Sequence, residues 1–145
     1  LSNSERNAMT SITLPGTLDS LDEIGVFVIG AATKAGLDKA KAYRLRLAID
    51  EIATNAIVHG YEEAGKKGDL RLEVQETGDA LTVLLFDNGQ AYDPNDVVDP
   101  GDLKRPLEER PIGGLGVFLS IQSVDRFAYE RTGDTNCHTF VMNKA

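Results

Sequence analysis

The sequence predicts a two-layer α/β (α+β) sandwich, with a mostly antiparallel sheet of about five strands and three helices packed on one face. Three observations predict this architecture. Segment 69–75, DLRLEVQ, alternates strictly between polar and apolar residues, as a half-buried strand does. Two long stretches in the first half space their apolar residues as helices do. Two short apolar stretches near the end surround a Gly-Asp turn, which is typical of a hairpin.

The first half of the chain contains a short strand and two helices. The strand, SITLPG, ends at a Pro-Gly pair. The first helix is predicted to begin at a capping box formed by Ser20 and Glu23 and to stop at Gly36. Asp38 is a cap for the second helix, which is predicted to run to about Gly60.

The second half contains the centre of the sheet and a closing hairpin. Segment 80–86, ALTVLLF, is almost continuously apolar and is therefore predicted to be a central strand. Periodicity is lost over residues 87–111, and an irregular stretch of this length is often a functional lid. Segment 113–124 begins with glycines and becomes a helix. RFAYER and CHTFVM are predicted to form the hairpin around Gly133 and Asp134.

Length and charge limit the class of protein. The 145 residues are enough for one domain, predicted at residues 11–145, preceded by a leader or disordered tail in which Met9 is a candidate start. Fifteen basic and 23 acidic residues give a net charge of −8, and no Lys/Arg cluster is longer than two, which argues against direct nucleic-acid binding. A basic protein partner, or a nucleotide carried with a metal ion, suits this charge better.

The sequence contains few features that would indicate a membrane or an oxidising environment. No apolar run approaches membrane-spanning length, so no membrane association is expected. The single cysteine, Cys137, has no second cysteine with which to form an internal disulfide. This favours a reducing compartment, and we expect a cytoplasmic protein.

Three polar residues recur at a spacing of four on the second helix. Glu51, Asn55 and His59 would lie along one helical stripe beside the apolar face. One interpretation is a polar edge at the core boundary, with His59 near the last carbonyls. The other is a functional edge, because the amide oxygen of asparagine is a good ligand for hard metals and a glutamate one turn away can act as a general base.

Two glycine-containing motifs follow later in the chain. DNGQAYDP comes directly after the central strand and is either an Asn-Gly turn or a base-binding site, where Asp87 accepts from an exocyclic amine and Gly89 lets a ring lie against the backbone. GGLG begins a helix and is either a flexible segment before that helix or a phosphate-binding turn. GYEEAGKK only partly matches a P-loop, because Lys67 stands where Ser or Thr is needed and a helix precedes it, so it is predicted to be a solvated loop.

The order of these motifs resembles the GHKL (histidine kinase-like) ATP-binding superfamily. The likeness is greatest to the anti-sigma-factor serine/threonine kinases of the RsbW and SpoIIAB type. DEIATNAIVHGY resembles their N box, DNGQAYDP their shortened G1 box, and GGLGVFLSIQSVDRFAYER their G2 box and closing hairpin. The resemblance covers about residues 11–143 and implies a Bergerat-type ATP-binding fold. Ala91 replaces the second glycine of the D-x-G-x-G pattern, a departure that counts mainly against a histidine kinase.

The resemblance implies a role for each motif residue. Asn55 would ligate Mg²⁺ between the phosphates, and Glu51 would be the general base for the attacking hydroxyl. Asp87 would bind the adenine amine, with Gly89 packed beside the base. The glycines of GGLG would serve the phosphates, with Gly113 as a lid hinge and Gly114 and Gly116 giving close backbone access. Three cations of the long segment are candidates for contacting the γ-phosphate: Lys104, Arg105 and Arg110.

The resemblance also implies a function. It predicts an ATP-dependent serine/threonine protein kinase and anti-sigma regulatory factor that uses ATP and Mg²⁺. Its substrate would be a STAS-domain anti-anti-sigma factor, a sigma factor would be a second partner, and a homodimer is compatible with the family. The alternative is a nucleotide-dependent protein-binding module without phosphotransfer. Simple ATP hydrolysis ranks third, because it usually needs partner domains.

Overall fold

The computed structural model describes residues 10–91 and 114–145. Their strands form one five-stranded antiparallel sheet in the order β1-β2-β3-β5-β4, which confirms the predicted fold class. The strands are β1 (Thr10–Pro15), β2 (Asp69–Glu76), β3 (Ala80–Asp87), β4 (Arg126–Thr132) and β5 (Thr135–Asn143). The helices are α1 (Leu21–Lys34), α2 (Lys39–Asn55) and α3 (Gly114–Gln122). No helix in these ranges is long and apolar enough to cross a membrane.

The core lies between the helices and one face of the sheet. Because side chains alternate along a strand, β3 and β5 each place every second residue on this face. The facing pairs are Leu81 with Met142, Val83 with Phe140, Leu85 with His138, and Asp87 with Asn136. All eight residues are buried. The row is therefore apolar along most of β3 and becomes polar at its end, where the predicted base-binding residue Asp87 lies.

The start of α1 differs from the prediction. A 3-10 turn, Leu18–Ser20, leads into the helix, and Ser20 has helical dihedrals (φ −81°, ψ −11°). A capping serine needs extended backbone, so the predicted capping box with Glu23 is wrong: Ser20 makes no side-chain cap bond. Its hydroxyl instead donates to the carbonyl of Pro15 at 2.7 Å, which joins the turn to the end of β1.

The predicted boundary between the first two helices is confirmed. Gly36 has φ +84°, the left-handed conformation that ends helices, and the N–H of Leu37 donates to the carbonyl of Ala32 at 3.0 Å. The carboxylate of Asp38 accepts from the N–H of Lys41 at 2.8 Å and caps α2.

The end of the second helix is not α-helical, which corrects the predicted run to about Gly60. The chain continues from α2 as a π-helix, Ala56–Glu62, whose wider turns are common at functional sites. The predicted stripe is therefore regular only from Glu51 to Asn55. His59 lies on the wider turn, where its Nδ1 is 2.7 Å from Glu63 Oε1.

The remaining predicted elements are confirmed. The third helix begins at the predicted glycines, since α3 starts at Gly114. The closing hairpin turns at Gly133, which has φ +59°. The GYEEAGKK segment was predicted to be a solvated loop, and this is correct only for its second half. Its first three residues belong to the π-helix, with Gly60 and Tyr61 buried, whereas Lys66 and Lys67 are exposed.

Candidate functional site

The last turn of α2 brings Glu51 and Asn55 together. Asn55 is 7% exposed, and its Nδ2 donates to the backbone carbonyl of Glu51 at 2.9 Å. This bond fixes the orientation of the amide and leaves Oδ1 as the atom with lone pairs to offer a cation. Glu51 itself is half-buried, so its carboxylate is at the rim of the core.

The environment of Glu51 favours a basic carboxylate. Burial raises the pKa of Glu51 above its ordinary value, and the negative charge of Asp50 raises it further. The pKa of Asp50 is also raised by burial, while Arg46 opposes that change. A carboxylate whose pKa is raised takes up a proton more readily, as a general base must.

The end of β3 holds the second predicted carboxylate. Asp87 is 2% exposed. Its Oδ1 accepts from the N–H of Gly89 at 2.9 Å and from Nδ2 of Asn136 at 2.8 Å. Its Oδ2 lies 3.9 Å from Nδ1 of His138, which is equally buried. A buried carboxylate with this many neighbours has a fixed position, which suits recognition of a ligand group.

The turn after β3 touches the end of the π-helix. The N–H of Gln90 donates to the carbonyl of Gly60 at 2.9 Å. A Cβ on Gly89 would lie 2.7 Å from that carbonyl oxygen, so this position requires glycine. Asp87 Oδ1 would be 3.9 Å from a Cβ on Gly60. The helix that carries Glu51 and Asn55 therefore ends against the turn that carries Asp87.

Tyr61 connects the same elements from inside the core, a role that the sequence did not reveal. Its side chain is 2% exposed, and its hydroxyl donates to the carbonyl of Asp69 at 2.7 Å and accepts from the N–H of Asn88 at 2.8 Å. Two glycines leave room for the Tyr61 ring. A Cβ would lie 2.6 Å from the ring at Gly16 and 2.8 Å from it at Gly68.

The β4–β5 hairpin contributes a polar network that the sequence analysis also missed. Asn136 bonds Asp87, and its Oδ1 accepts from the hydroxyl of Tyr129 at 2.5 Å and from Nη1 of Arg131 at 2.8 Å. A signal was present: in β5 an asparagine and a histidine occupy positions that alternate in step with buried Phe140. A buried polar residue on the core side of a strand needs partners, and this need points to a site.

The structure describes only some of the other predicted site residues. Gly114 is the first residue of α3 and Gly116 lies in its first turn, where backbone N–H groups have no partner within the helix. Val117 is fully buried and anchors the helix to the core. The predicted hinge, lid and phosphate-contacting cations lie outside the described residues: Gly113, residues 93–111, Lys104, Arg105 and Arg110.

Comparison with known proteins relates the chain to a family of ATPase domains. Residues 14–142 match the family model described as the histidine kinase-like ATPase domain. A protein of Bacillus cereus (strain AH187) named serine-protein kinase RsbW is 28% identical over 118 residues, which cover 79% of this chain and 72% of that protein. The serine-protein kinase RsbW of Halalkalibacterium halodurans is 27% identical and covers 79% and 71%.

Two solved structures share the fold. The RsbU and RsbW domains of a Mycobacterium tuberculosis protein align with a TM-score of 0.65 and 17% identity over 92% of this chain. This chain spans 32% of that structure. The histidine kinase domain of a blue-light activated kinase from Erythrobacter litoralis aligns with a TM-score of 0.53 and 18% identity, over 86% of this chain and 60% of that one. At these identities the likeness concerns the fold.

Proposed function

The chain belongs to the histidine kinase-like ATPase family, and we propose that it is an ATP-dependent serine/threonine protein kinase and anti-sigma regulatory factor. Its substrate would be a STAS-domain anti-anti-sigma factor, and a sigma factor would be its second partner. The names of its relatives, serine-protein kinase RsbW, support this proposal. Because sigma factors act inside the cell, we also propose a cytoplasmic location.

One observation carries the proposal: Glu51 and Asn55 occupy successive turns of α2, and the Asn55 amide is oriented by donating to the backbone carbonyl of Glu51 at 2.9 Å. This pairing sets a candidate base one turn from a candidate metal ligand. Phosphoryl transfer requires little more from a protein than positioning, charge neutralisation and a group that takes the hydroxyl proton. A half-buried carboxylate with a raised pKa suits the last task.

The described residues suit Mg²⁺ that is held together with a nucleotide. They contain no group of three or more His, Cys, Asp or Glu side chains arranged for a metal ion. Mg²⁺ typically takes one or two protein oxygens and completes its shell with phosphates and waters. Oδ1 of Asn55 would be such an oxygen, and the ion would neutralise charge on the transferred phosphoryl group.

The proposed reaction uses these residues in the following way. A serine or threonine hydroxyl of the partner attacks the γ-phosphorus, so that an O–P bond forms while the bond to the β-phosphate oxygen breaks. The hydroxyl proton passes to Glu51, and ADP is the leaving group. Asp87, at the end of β3, would hold the adenine by accepting from its exocyclic amine.

Transfer of labelled γ-phosphate to a STAS-domain protein tests the proposal. The wild type should label the partner, and Glu51→Gln should label it about 10²–10⁴-fold more slowly while still binding ATP. Glu62→Gln is the control, because this exposed glutamate is at the far end of the same helical segment. Transfer by Glu51→Gln at the wild-type rate would remove Glu51 as the base. Partner binding without any transfer by the wild type would favour the nucleotide-dependent binding module.

A further inference from the structure

Three polar side chains of the β4–β5 hairpin form a network that reaches the carboxylate of Asp87 through Asn136. Asn136 lies opposite Asp87 in the sheet register and is 1% exposed. Arg131 lies opposite Asn136 on β4, and Tyr129 is two residues before it on the same face. The hairpin therefore contributes directly to the surroundings of the proposed adenine-binding carboxylate.

This network sets the orientation of the Asn136 amide. Its Oδ1 accepts from the Tyr129 hydroxyl at 2.5 Å and from Arg131 Nη1 at 2.8 Å. Its Nδ2 donates to Asp87 Oδ1 at 2.8 Å and to two backbone carbonyls of the turn after β3 at 3.2 and 3.3 Å. If the amide were reversed, its oxygen would face three other acceptors and its nitrogen would face the Arg131 donor, and both arrangements are unfavourable. Arg131 and these three acceptors therefore favour the same orientation, in which Asn136 donates to Asp87.

The orientation of Asn136 decides which oxygen of Asp87 is left to accept a hydrogen bond from a ligand. The two hydrogen bonds that described residues donate to Asp87 come from Asn136 and Gly89, and both end on Oδ1. Oδ2 receives neither of these bonds and lies 3.9 Å from Nδ1 of the buried His138, so it keeps lone pairs with which to accept. Nη1 of Arg131 also donates to the carbonyl of Gly89 at 3.1 Å, so it holds the turn as well as the amide.

We propose that Arg131 and Asn136 are positioning residues that set the base specificity of the nucleotide site. They hold Asp87 so that Oδ2 accepts from the 6-amino group of adenine. Guanine carries a carbonyl oxygen at the same ring position, and an acceptor facing an acceptor is unfavourable, so ATP binds in preference to GTP. The inference rests on the proposed adenine role of Asp87 and extends the site to the hairpin.

Calorimetric titration of the intact chain with ATP and GTP, both in Mg²⁺, tests the inference. Arg131→Met should weaken ATP binding about 10-fold, because it removes one hydrogen bond made by a charged group. GTP binding should change little. Asn136→Asp replaces the donor by an acceptor of the same shape, and we expect a loss of ATP affinity of about 100-fold or more. Arg126→Met is the matched control, because this arginine is at the exposed other end of β4.

The ratio of ATP to GTP affinity is the decisive quantity, because a purely structural role would weaken both nucleotides alike. A ratio that is unchanged in Arg131→Met overturns the inference, whether or not the absolute affinities fall. Thermal melting reports whether each variant folds, and Arg131→Gln replaces Arg131→Met if the latter does not. A wild type that binds neither nucleotide would refute the proposed function and this inference together. ATP binding with an unchanged ratio in the variants refutes the inference alone.

Discussion

The hydroxyl of Tyr61 accepts a hydrogen bond of 2.8 Å from the backbone N–H of Asn88, the residue that follows Asp87. The same hydroxyl donates to the carbonyl of Asp69 at 2.7 Å. One buried side chain at the end of the π-helix therefore joins the beginning of β2 to the end of β3. Through this contact the position of the helix and the position of the Asp87 turn depend on each other.

Tyr61→Phe should weaken both folding and nucleotide binding. The phenyl ring keeps the space between the flanking glycines, but the Asn88 N–H and the Asp69 carbonyl lose their shared partner. Leaving buried polar groups unpaired costs about 1–3 kcal/mol, so urea unfolding should show a loss of that size. ATP affinity should fall as well, because the turn is less well held. Tyr43→Phe provides the control, since Tyr43 is 57% exposed, and its stability should stay within about 0.5 kcal/mol of the wild type.

Gly89→Ala should be more damaging than its size suggests. The added Cβ would lie 2.7 Å from the carbonyl oxygen of Gly60. Both groups belong to the backbone, so relief requires the turn and the helix to separate, which we expect to cost about 1–3 kcal/mol in urea unfolding. Gly30→Ala is the matched comparison, because a Cβ there meets nothing within 4 Å and the residue is inside α1. Helix propensity predicts a gain of about 0.5–1 kcal/mol for that variant. Equal effects of the two changes would contradict the contact.

Local patterns predicted most of the fold. Strand β2 follows from alternation, β3 from its apolar run, the end of α1 from Gly36, and the start of α2 from the cap at Asp38. Each of these signals lies within a few residues of the feature that it determines. The capping box at Ser20 was wrong although its residue types are present. Ser20 has helical dihedrals, and its hydroxyl donates to the carbonyl of Pro15 at the end of β1.

The candidate site was predicted only where its residues form short motifs. Glu51, Asn55 and Asp87 were identified within such motifs, but the residues that hold them were not. The π-helix contacts the turn after β3 through the bond from Gln90 to Gly60, whose residues are far apart in the sequence. The pairing of Asp87 with Asn136 joins residues 49 positions apart. Contacts at such separations depend on strand register, which one sequence does not display.

Asn55→Ala should separate metal-dependent from metal-independent nucleotide binding. Without Oδ1, one ligand of the proposed Mg²⁺ site is lost, and ATP affinity in Mg²⁺ should fall at least about 10-fold, as for loss of one strong charged contact. With a chelator present, the variant and the wild type should bind ATP alike. Thr54→Ala is the control, because the hydroxyl of this neighbour bonds only to the backbone carbonyl of Asp50 among the described residues. The same loss with and without Mg²⁺ would show that Asn55 acts on the fold and not on the metal.

The raised pKa of Glu51 predicts the pH dependence of phosphotransfer. The base must be ionised to accept the hydroxyl proton, and burial raises its pKa above the ordinary value of 4.5. The acid limb of kcat/KM should therefore lie above pH 4.5, with activity rising as pH increases through the raised value. The residual activity of Glu51→Gln should lack this limb. A limb that persists unchanged in the variant would assign it to another group.

Stability gives an independent check of the same pKa. The folded state binds the Glu51 proton more tightly than the unfolded state, because the folded pKa is the higher one. Between pH 4.5 and the folded pKa the native protein therefore holds more protons, and the contribution of Glu51 to the free energy of unfolding decreases as pH rises. Asp50, whose pKa is also raised, adds a similar decrease that persists in the variant. Denaturant titrations of the wild type and Glu51→Gln across this range should show the variant gaining stability relative to the wild type as pH increases. A stability difference that does not change with pH would mean that burial does not raise the pKa of Glu51. The raised pKa would then no longer support Glu51 as the base.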